Sequence, residues 1–273
     1  MTTDNNTDNN THISPLPLEG DGGRLDSYPF YVEPFHVDFM GRMFLGILGN
    51  HLLNAAGNHS QRRGWGITAL NENHQTWVLS RLSIELEDMP RQHEHGSIET
   101  WVESVIKLFT NRNFAILRED GTPYGYARSI WAMIDLETRK PCDLLTLYDG
   151  DIVRYVVQEE EKQCPIAGHG RFKFREPQLV RTIGTYYSDV DINGHINSIK
   201  YIEHILDLFP MERFRNQRLQ RFEIAYKTES YLGDQLSFYV QEVDENETDV
   251  EVRKNVTEDG NGEVVCQAKV RFR

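Results

Sequence analysis

A chain of 273 residues with 42 Asp and Glu against 29 Lys and Arg carries a formal net charge of −13. That balance argues against general nucleic-acid binding, which depends on neutralising phosphates with Lys and Arg. With 39% hydrophobic and 11% aromatic residues the chain can fill one or two cores, and no apolar run approaches the roughly 20 residues of a membrane-spanning helix.

The opening MTTDNNTDNNTH has neither a basic n-region nor an apolar h-region, so it does not read as a secretory signal. Its Asp, Asn and Thr bias predicts a disordered tail over residues 1–25. Next, RMFLGILGNHLLNAAGNHSQRRG places Phe44, Ile47, Leu48, His51, Leu52 and Ala55 on one face of a helix. Strands rich in β-branched and aromatic residues are expected over 76–87, 97–108 and 125–136. The segment 141–176 carries Glu159, Glu160 and Glu161 and then CPIAGHG. It reads as a linker with one amphipathic helix around residues 150–162.

The stretch SDVDINGHINSIKYIEHIL changes rhythm partway. Asp191, Asn193, His195 and Asn197 alternate with Val190, Ile192 and Ile196, and Gly194 stands between. From Ile196 the apolar spacing turns helical, through Ile199, Ile202, Ile205 and Leu206. Further strands are expected over 219–229, 235–243, 249–256 and 264–273.

The two halves repeat. RLSIELEDMP starts at Arg81 and RFEIAYKTES at Arg221, an offset of 221 − 81 = 140. Ile84 and Ile224 keep that offset, and the Asp120-Gly121 and Asp259-Gly260 turns differ by 139. One helix followed by an antiparallel sheet, written twice, predicts an α+β fold with units over 26–140 and 177–273. The three cysteines, Cys142, Cys164 and Cys266, are scattered and odd in number, so no disulfide framework is expected and a cytoplasmic location is.

NGHINSIKYIEHIL, FEIAYKTES, LLNAAGNHSQRRGWG and WVLSRLSIELEDMPRQHEHGSIETWVES together resemble the acyl-acyl-carrier-protein (acyl-ACP) thioesterases of plant plastids and bacteria. The resemblance covers most of the chain beyond residue 25. It implies a tandem (double) hotdog fold, each unit a central helix on an antiparallel sheet, with the two sheets continuous. It also implies hydrolysis of the thioester joining a fatty acyl chain to the carrier's phosphopantetheine, releasing the free acid and needing no cofactor or metal. The family's functional residues carry over to Asp191, Asn193, His195 and Glu229. Where many relatives have Cys after that Glu, this chain has Ser230, which leaves a general-base mechanism with water as nucleophile.

In that mechanism a carboxylate or imidazole takes water's proton, typically worth ~10²–10⁴ in rate. Glu229 is expected as base, with Asn193 and His195 positioning water and carbonyl and Asp191 orienting its neighbours. The alternative gives the base role to His195, with Glu229 holding its tautomer. His195 is expected at the first turn of a buried helix, with Gly194, Ile196 and Asn197 bordering the oxyanion site and helix N–H groups receiving the thioester oxygen. Taken singly, Asp191 and Asn193 also suit an Asx turn, and His195 and Glu229 suit ordinary surface positions.

The first unit has VDFMGRMFLG before its helix and no Asn-x-His, so it is expected to do no chemistry. Its helix, Trp77 and Trp101 are candidates to line an acyl pocket. Because the carrier is acidic, docking would need a local basic patch, for which Arg213, Arg215, Arg218 and Arg221 are candidates. RFKFR, from Arg171 to Arg175, is another. Rival readings are an acyl-CoA thioesterase of the same fold and a non-catalytic acyl-binding protein; a homodimer of the fused unit stays open. No His-Glu-x-x-His, Gly-x-Ser-x-Gly, P-loop or Gly-x-Gly-x-x-Gly is present, and the histidines of HEH at 93–95 are too close-spaced for zinc.

Overall fold

The computed structural model describes residues 23–258 and 260–273. All but the end of the expected tail, and Asp259 of the second Asp-Gly turn, lie outside the described residues. The first unit comprises β1 (Leu25–Tyr31), α1 (Leu45–Arg62), α2 (Ile67–Asn71), β2 (Gln75–Leu86), β3 (His95–Val105), β4 (Thr110–Arg118) and β5 (Pro123–Asp135). The second comprises β6 (Gln178–Gly184), α3 (Ser198–Leu206), α4 (Met211–Asn216), β7 (Leu219–Tyr226), β8 (Gln235–Glu242), β9 (Glu247–Lys254) and β10 (Glu263–Phe272).

All ten strands form one antiparallel sheet in the order β1-β3-β4-β5-β2-β7-β10-β9-β8-β6. The order reads the same from either edge once each strand is replaced by its repeat partner. The centre is the β2–β7 seam, held by five residue pairs from Arg81↔Ala225 to Glu85↔Arg221. Ser83 pairs there with Glu223, its own equivalent at an offset of 223 − 83 = 140, so the repeat's two-fold axis passes between them.

Both helices pack on one face of this sheet. Leu48, Leu52 and Ala55 of α1 and Ile199, Ile202 and Ile205 of α3 join a single core with Leu82, Ile84, Phe222 and Ile224 from the seam strands. At full burial each such Leu, Ile or Phe side chain contributes about 1.5–3 kcal/mol, so the spacing of these residues is what seats the helices. Gly49 lets α1 approach α3 closely, since a Cβ there would stand 2.7 Å from Ile199 Cδ1.

Three strands carry no clear sequence signal. β1 is interrupted by Pro29, β6 is an edge strand with five exposed residues of seven, and β4 buries the polar Arg112 and Asn113. The expected linker is also more ordered than anticipated. Its helical turn is a 3-10 segment over Leu144–Tyr155, not a helix around 150–162. The segment lies against the first unit, where Val157, Cys164 and Ile166 cover Trp101 and Ala115.

Residues 167–170 then cross the seam. The Ser83 hydroxyl meets His169 Nδ1 at 2.7 Å, Arg81 donates to Gly170 O at 2.9 Å, and Gly170 N–H donates to Glu223 at 2.7 Å. Arg221 donates to the carbonyls of Ala167 and Gly168 at 3.2 and 3.0 Å. Burial pushes His169 down to about 4. The unfolded chain takes up a proton at this histidine below its ordinary value of about 6.5, and the folded chain does not until about pH 4. Its contribution to stability is therefore full above about pH 6.5 and is lost as pH falls toward 4. Denaturant midpoints measured across that window should fall on acidification, with a shallower slope in His169→Asn; an unchanged slope would exclude this histidine as a cause.

Candidate active site

The alternating stretch folds into a tight turn ahead of α3. Gly194 adopts φ +80°, a left-handed conformation that glycine takes without Cβ strain. Asp191 Oδ1 accepts the N–H groups of Asn193 and His195 at 2.8 and 3.2 Å. Its own N–H donates to His195 O at 2.8 Å, and Gly194 N–H donates to Asp191 O at 3.0 Å. One short carboxylate thus fixes the backbone on both sides of the residues it was expected to orient.

The turn is joined to the β7–β8 loop. Ile196 N–H donates to Ser230 O at 2.8 Å, and His195 bridges Tyr231 through backbone pairing. This brings His195 Nδ1 to 3.4 Å from Glu229 Oε1. Tyr231 donates its hydroxyl to Glu229 Oε2 at 3.3 Å, and its ring stands perpendicular to the imidazole at 5.1 Å. Lys254 Nζ donates to the Glu229 carbonyl at 2.7 Å. Glu229 lies three residues beyond the end of β7, in the loop, where the sequence suggested the strand's last position.

The first unit also reaches this carboxylate. Arg139, in the turn after β5, has a left-handed φ of +60° and donates from Nη2 to Glu229 Oε1. Neither Arg139 nor Tyr231 stood out in the sequence. Arg139 is 90 residues from its partner and in no repeated motif, and the adjacency of Tyr231 to Ser230 was the only available hint.

Asp191, His195 and Glu229 are therefore together, with Asn193 and Gly194 exposed at the tip of the turn. The expected helix-start oxyanion site changes. His195 precedes α3, whose N-cap is Asn197; its side-chain oxygen accepts Ile199 N–H at 2.9 Å. Asn197 N–H donates to Asp189 O, so every backbone N–H from 193 to 197 already has an acceptor. Ile196 is buried in the core. The N–H groups of 193–197 are therefore not open to a substrate oxygen, and the exposed Asn193 residue offers a side-chain amide at the tip.

Ser230 is fully buried beside the Tyr201 phenol and presents no nucleophile to solvent. Burial raises the thiols of Cys142, Cys164 and Cys266, and Cys164 and Cys266 are enclosed, which disfavours a thiolate. The four arginines suggested for docking do not form one surface. Arg221 is tied to Glu85 and Glu223 at 2.6 and 2.7 Å on the sheet's outer face. Arg213 donates to Glu245 O, while Arg215 lies over the Phe39 ring of the first unit. Trp101 is buried beneath the linker, and Trp77 donates to Trp65 O at 2.8 Å in a separate cluster; neither sits in the core between helices and sheet.

The family model described as acyl-ACP thioesterase N-terminal domain matches residues 27–148, and the C-terminal domain model of the same family matches 175–273. The chain is 26% identical to "Oleoyl-acyl carrier protein thioesterase 1, chloroplastic" of Arabidopsis thaliana over 219 residues, covering 75% of this chain and 60% of that protein. It is 26% identical to the Coriandrum sativum oleoyl-acyl carrier protein thioesterase over 263 residues, covering 88% and 68%. The chain thus spans about 60% of the length of the Arabidopsis relative. A crystal structure of an acyl-ACP thioesterase from Bacteroides thetaiotaomicron VPI-5482 is 56% identical with a TM-score of 0.85, covering 92% of this chain and 98% of that one. The 12:0-ACP thioesterase of Umbellularia californica, 18% identical with a TM-score of 0.78 and covering 93% and 99%, shares the fold.

Because Asp191 holds two N–H groups, Asp191→Ala should cost about 1–2 kcal/mol of stability and expose those amides. Hydrogen exchange at Asn193 and His195 should speed up in that variant and much less in Asp191→Asn, which keeps an acceptor. Equal protection in all three proteins would remove Asp191 as the turn's anchor.

Proposed function

This chain belongs to the acyl-ACP thioesterase family, with the double-hotdog fold, and from that premise we propose that it hydrolyses fatty acyl-ACP to the free fatty acid and the carrier's phosphopantetheine thiol. The observation that carries this reading is the approach of Glu229 to His195 at 3.4 Å beneath the exposed Asn193-Gly194 tip. A carboxylate, an imidazole and a side-chain amide at one solvent-reachable place are the groups that a water-mediated acyl transfer needs.

In the proposed step Glu229 takes one proton from a water as its oxygen attacks the thioester carbonyl carbon. The oxyanion receives the Asn193 amide, with His195 holding the water in line. Collapse breaks the C–S bond, and the sulfur leaves with the proton. Arg139 and Tyr231 fix the carboxylate from two sides, so the base is positioned by both units.

A second reading exchanges the roles of base and orienter. It is favoured by the use of Nδ1 in the contact with Glu229, which leaves His195 Nε2 to act on water. Steady-state hydrolysis of one long-chain acyl group offered on the carrier and on CoA decides these points. Glu229→Gln should lower kcat by ~10²–10⁴, with a smaller loss in His195→Asn. The reverse order would move the base to His195. Better turnover of the CoA ester would replace the carrier as substrate, and no hydrolysis of either would favour an acyl-binding protein.

A further inference from the structure

The first unit keeps the backbone of the candidate site without its reacting groups. Asp38 Oδ1 accepts the N–H groups of Met40 and Arg42 at 2.7 and 3.0 Å, as Asp191 accepts those of Asn193 and His195. Gly41 at φ +71° repeats Gly194. Met43 N–H donates to Pro90 O at 2.8 Å, where Ile196 N–H donates to Ser230 O at 2.8 Å. The offsets are 191 − 38 = 153 in the turn and 230 − 90 = 140 in the facing loop. Met40, Arg42 and Met89 therefore stand where Asn193, His195 and Glu229 stand in the second unit.

A cavity of about 620 Å³ opens at this turn, within the size range of small-molecule sites. Met43, Ile47, Met89, Leu206, Phe209 and Phe214 give it an apolar lining from both units. It adjoins a smaller hollow of about 180 Å³ bordered by Arg42, Arg91, Arg215 and Arg218, and Arg42 and Arg218 border both. Two of these guanidiniums are committed. Arg42 donates to Asp38 and to Phe214 O, and Arg215 pairs with Glu212 at 3.2 Å. Arg218 is mostly exposed and 3.9 Å from the Asp88 carboxylate. Arg91 is exposed and its guanidinium has no ion-pair partner among the described residues. Glu87, Asp88, Glu203 and Asp207 also border the cavity, with Glu203 held by Lys200 at 2.8 Å.

We propose that this is a second, non-catalytic site for a long-chain carboxylate, its alkyl tail in the apolar cavity and its head across Arg91 and Arg218. Guanidinium groups match carboxylate geometry through paired N–H donors. The apolar lining is extensive, and of the four guanidiniums only that of Arg91 has no carboxylate partner among the described residues. Arg91 borders the smaller hollow, outside the cavity that Asp38, Glu87, Asp88, Glu203 and Asp207 border, so the complementary ligand is a single chain whose one anionic head lies at that hollow. That the chain is a fatty acid rests on the proposed hydrolysis, which would release such a molecule. Leu206 at the end of α3 lines the cavity while the start of α3 follows the candidate turn, so one helix touches both places.

Calorimetric titration of the full chain with dodecanoate tests this. Wild type should bind, and Arg91→Glu/Arg218→Glu should lose about tenfold or more in affinity for one site, while 1-dodecanol binds both proteins alike. His195→Ala/Glu229→Ala should keep that site. Arg91→Gln/Arg218→Gln, which should weaken binding in the same direction, keeps the test readable if charge reversal unfolds the chain. Unchanged affinity in both arginine variants, loss only in the His195 and Glu229 variant, or no binding to wild type would overturn the proposal. Because binding is read without turnover, an inactive protein that binds dodecanoate leaves this site standing, and an active one that does not sinks this site alone.

Discussion

Five residue pairs between β2 and β7 determine how everything else is arranged. Antiparallel pairing about the Ser83–Glu223 axis turns two five-stranded sheets into one and sets α1 beside α3 on the same face. Each unit's helix then closes a core partly built by the other. The same pairing brings the turn after β5 to the loop after β7, which is how Arg139 meets Glu229 across 90 residues of sequence. A single unit with an identical Asp-x-x-Gly turn would lack that guanidinium.

The two turns separate scaffold from chemistry. An aspartate accepting two amides, a glycine with positive φ and one backbone bond to the facing loop recur in both units. These features use only short side chains and main-chain atoms, so substituting Met40, Arg42 and Met89 for Asn193, His195 and Glu229 leaves the backbone unchanged. With apolar and guanidinium side chains in place of the reacting groups, the first turn borders a largely apolar hollow whose rim carries both arginines and carboxylates. In a duplicated chain, each copy can thus carry different contents on the same turn.

The helices α1 and α3 and seven of the ten strands were legible because their apolar residues keep a helical or alternating period, whereas the short α2 and α4 were not. β1, β4 and β6 were hidden for separate reasons: a proline at mid-strand, buried Arg112 and Asn113, and an edge strand with few inward residues. At the site, the alternation of Asp191, Asn193 and His195 suggested extended chain where the structure has a tight turn, the form that the Asx-turn alternative described, and periodicity placed the helix start too early. Asn197 intervenes as cap, and the preceding amides are consumed by Asp189, Asp191 and Ser230. The contributions of Arg139 and the linker depend on contacts between distant segments, for which one sequence carries no pattern.

The strap over the seam also bears on where this chain can be divided. By the repeat, a cut near residue 140 would separate two equivalent units. By contact, residues 141–176 belong to the first unit and to the seam together: Val157, Cys164 and Ile166 enclose Trp101, and His169 and Gly170 hold Ser83 and Glu223. Removing them would uncover an indole and leave the side chains of Arg81, Ser83, Arg221 and Glu223 at the seam without the partners that residues 167–170 give them. The connector therefore does the work of a cover, and the chain's modular ancestry does not make its halves separable parts.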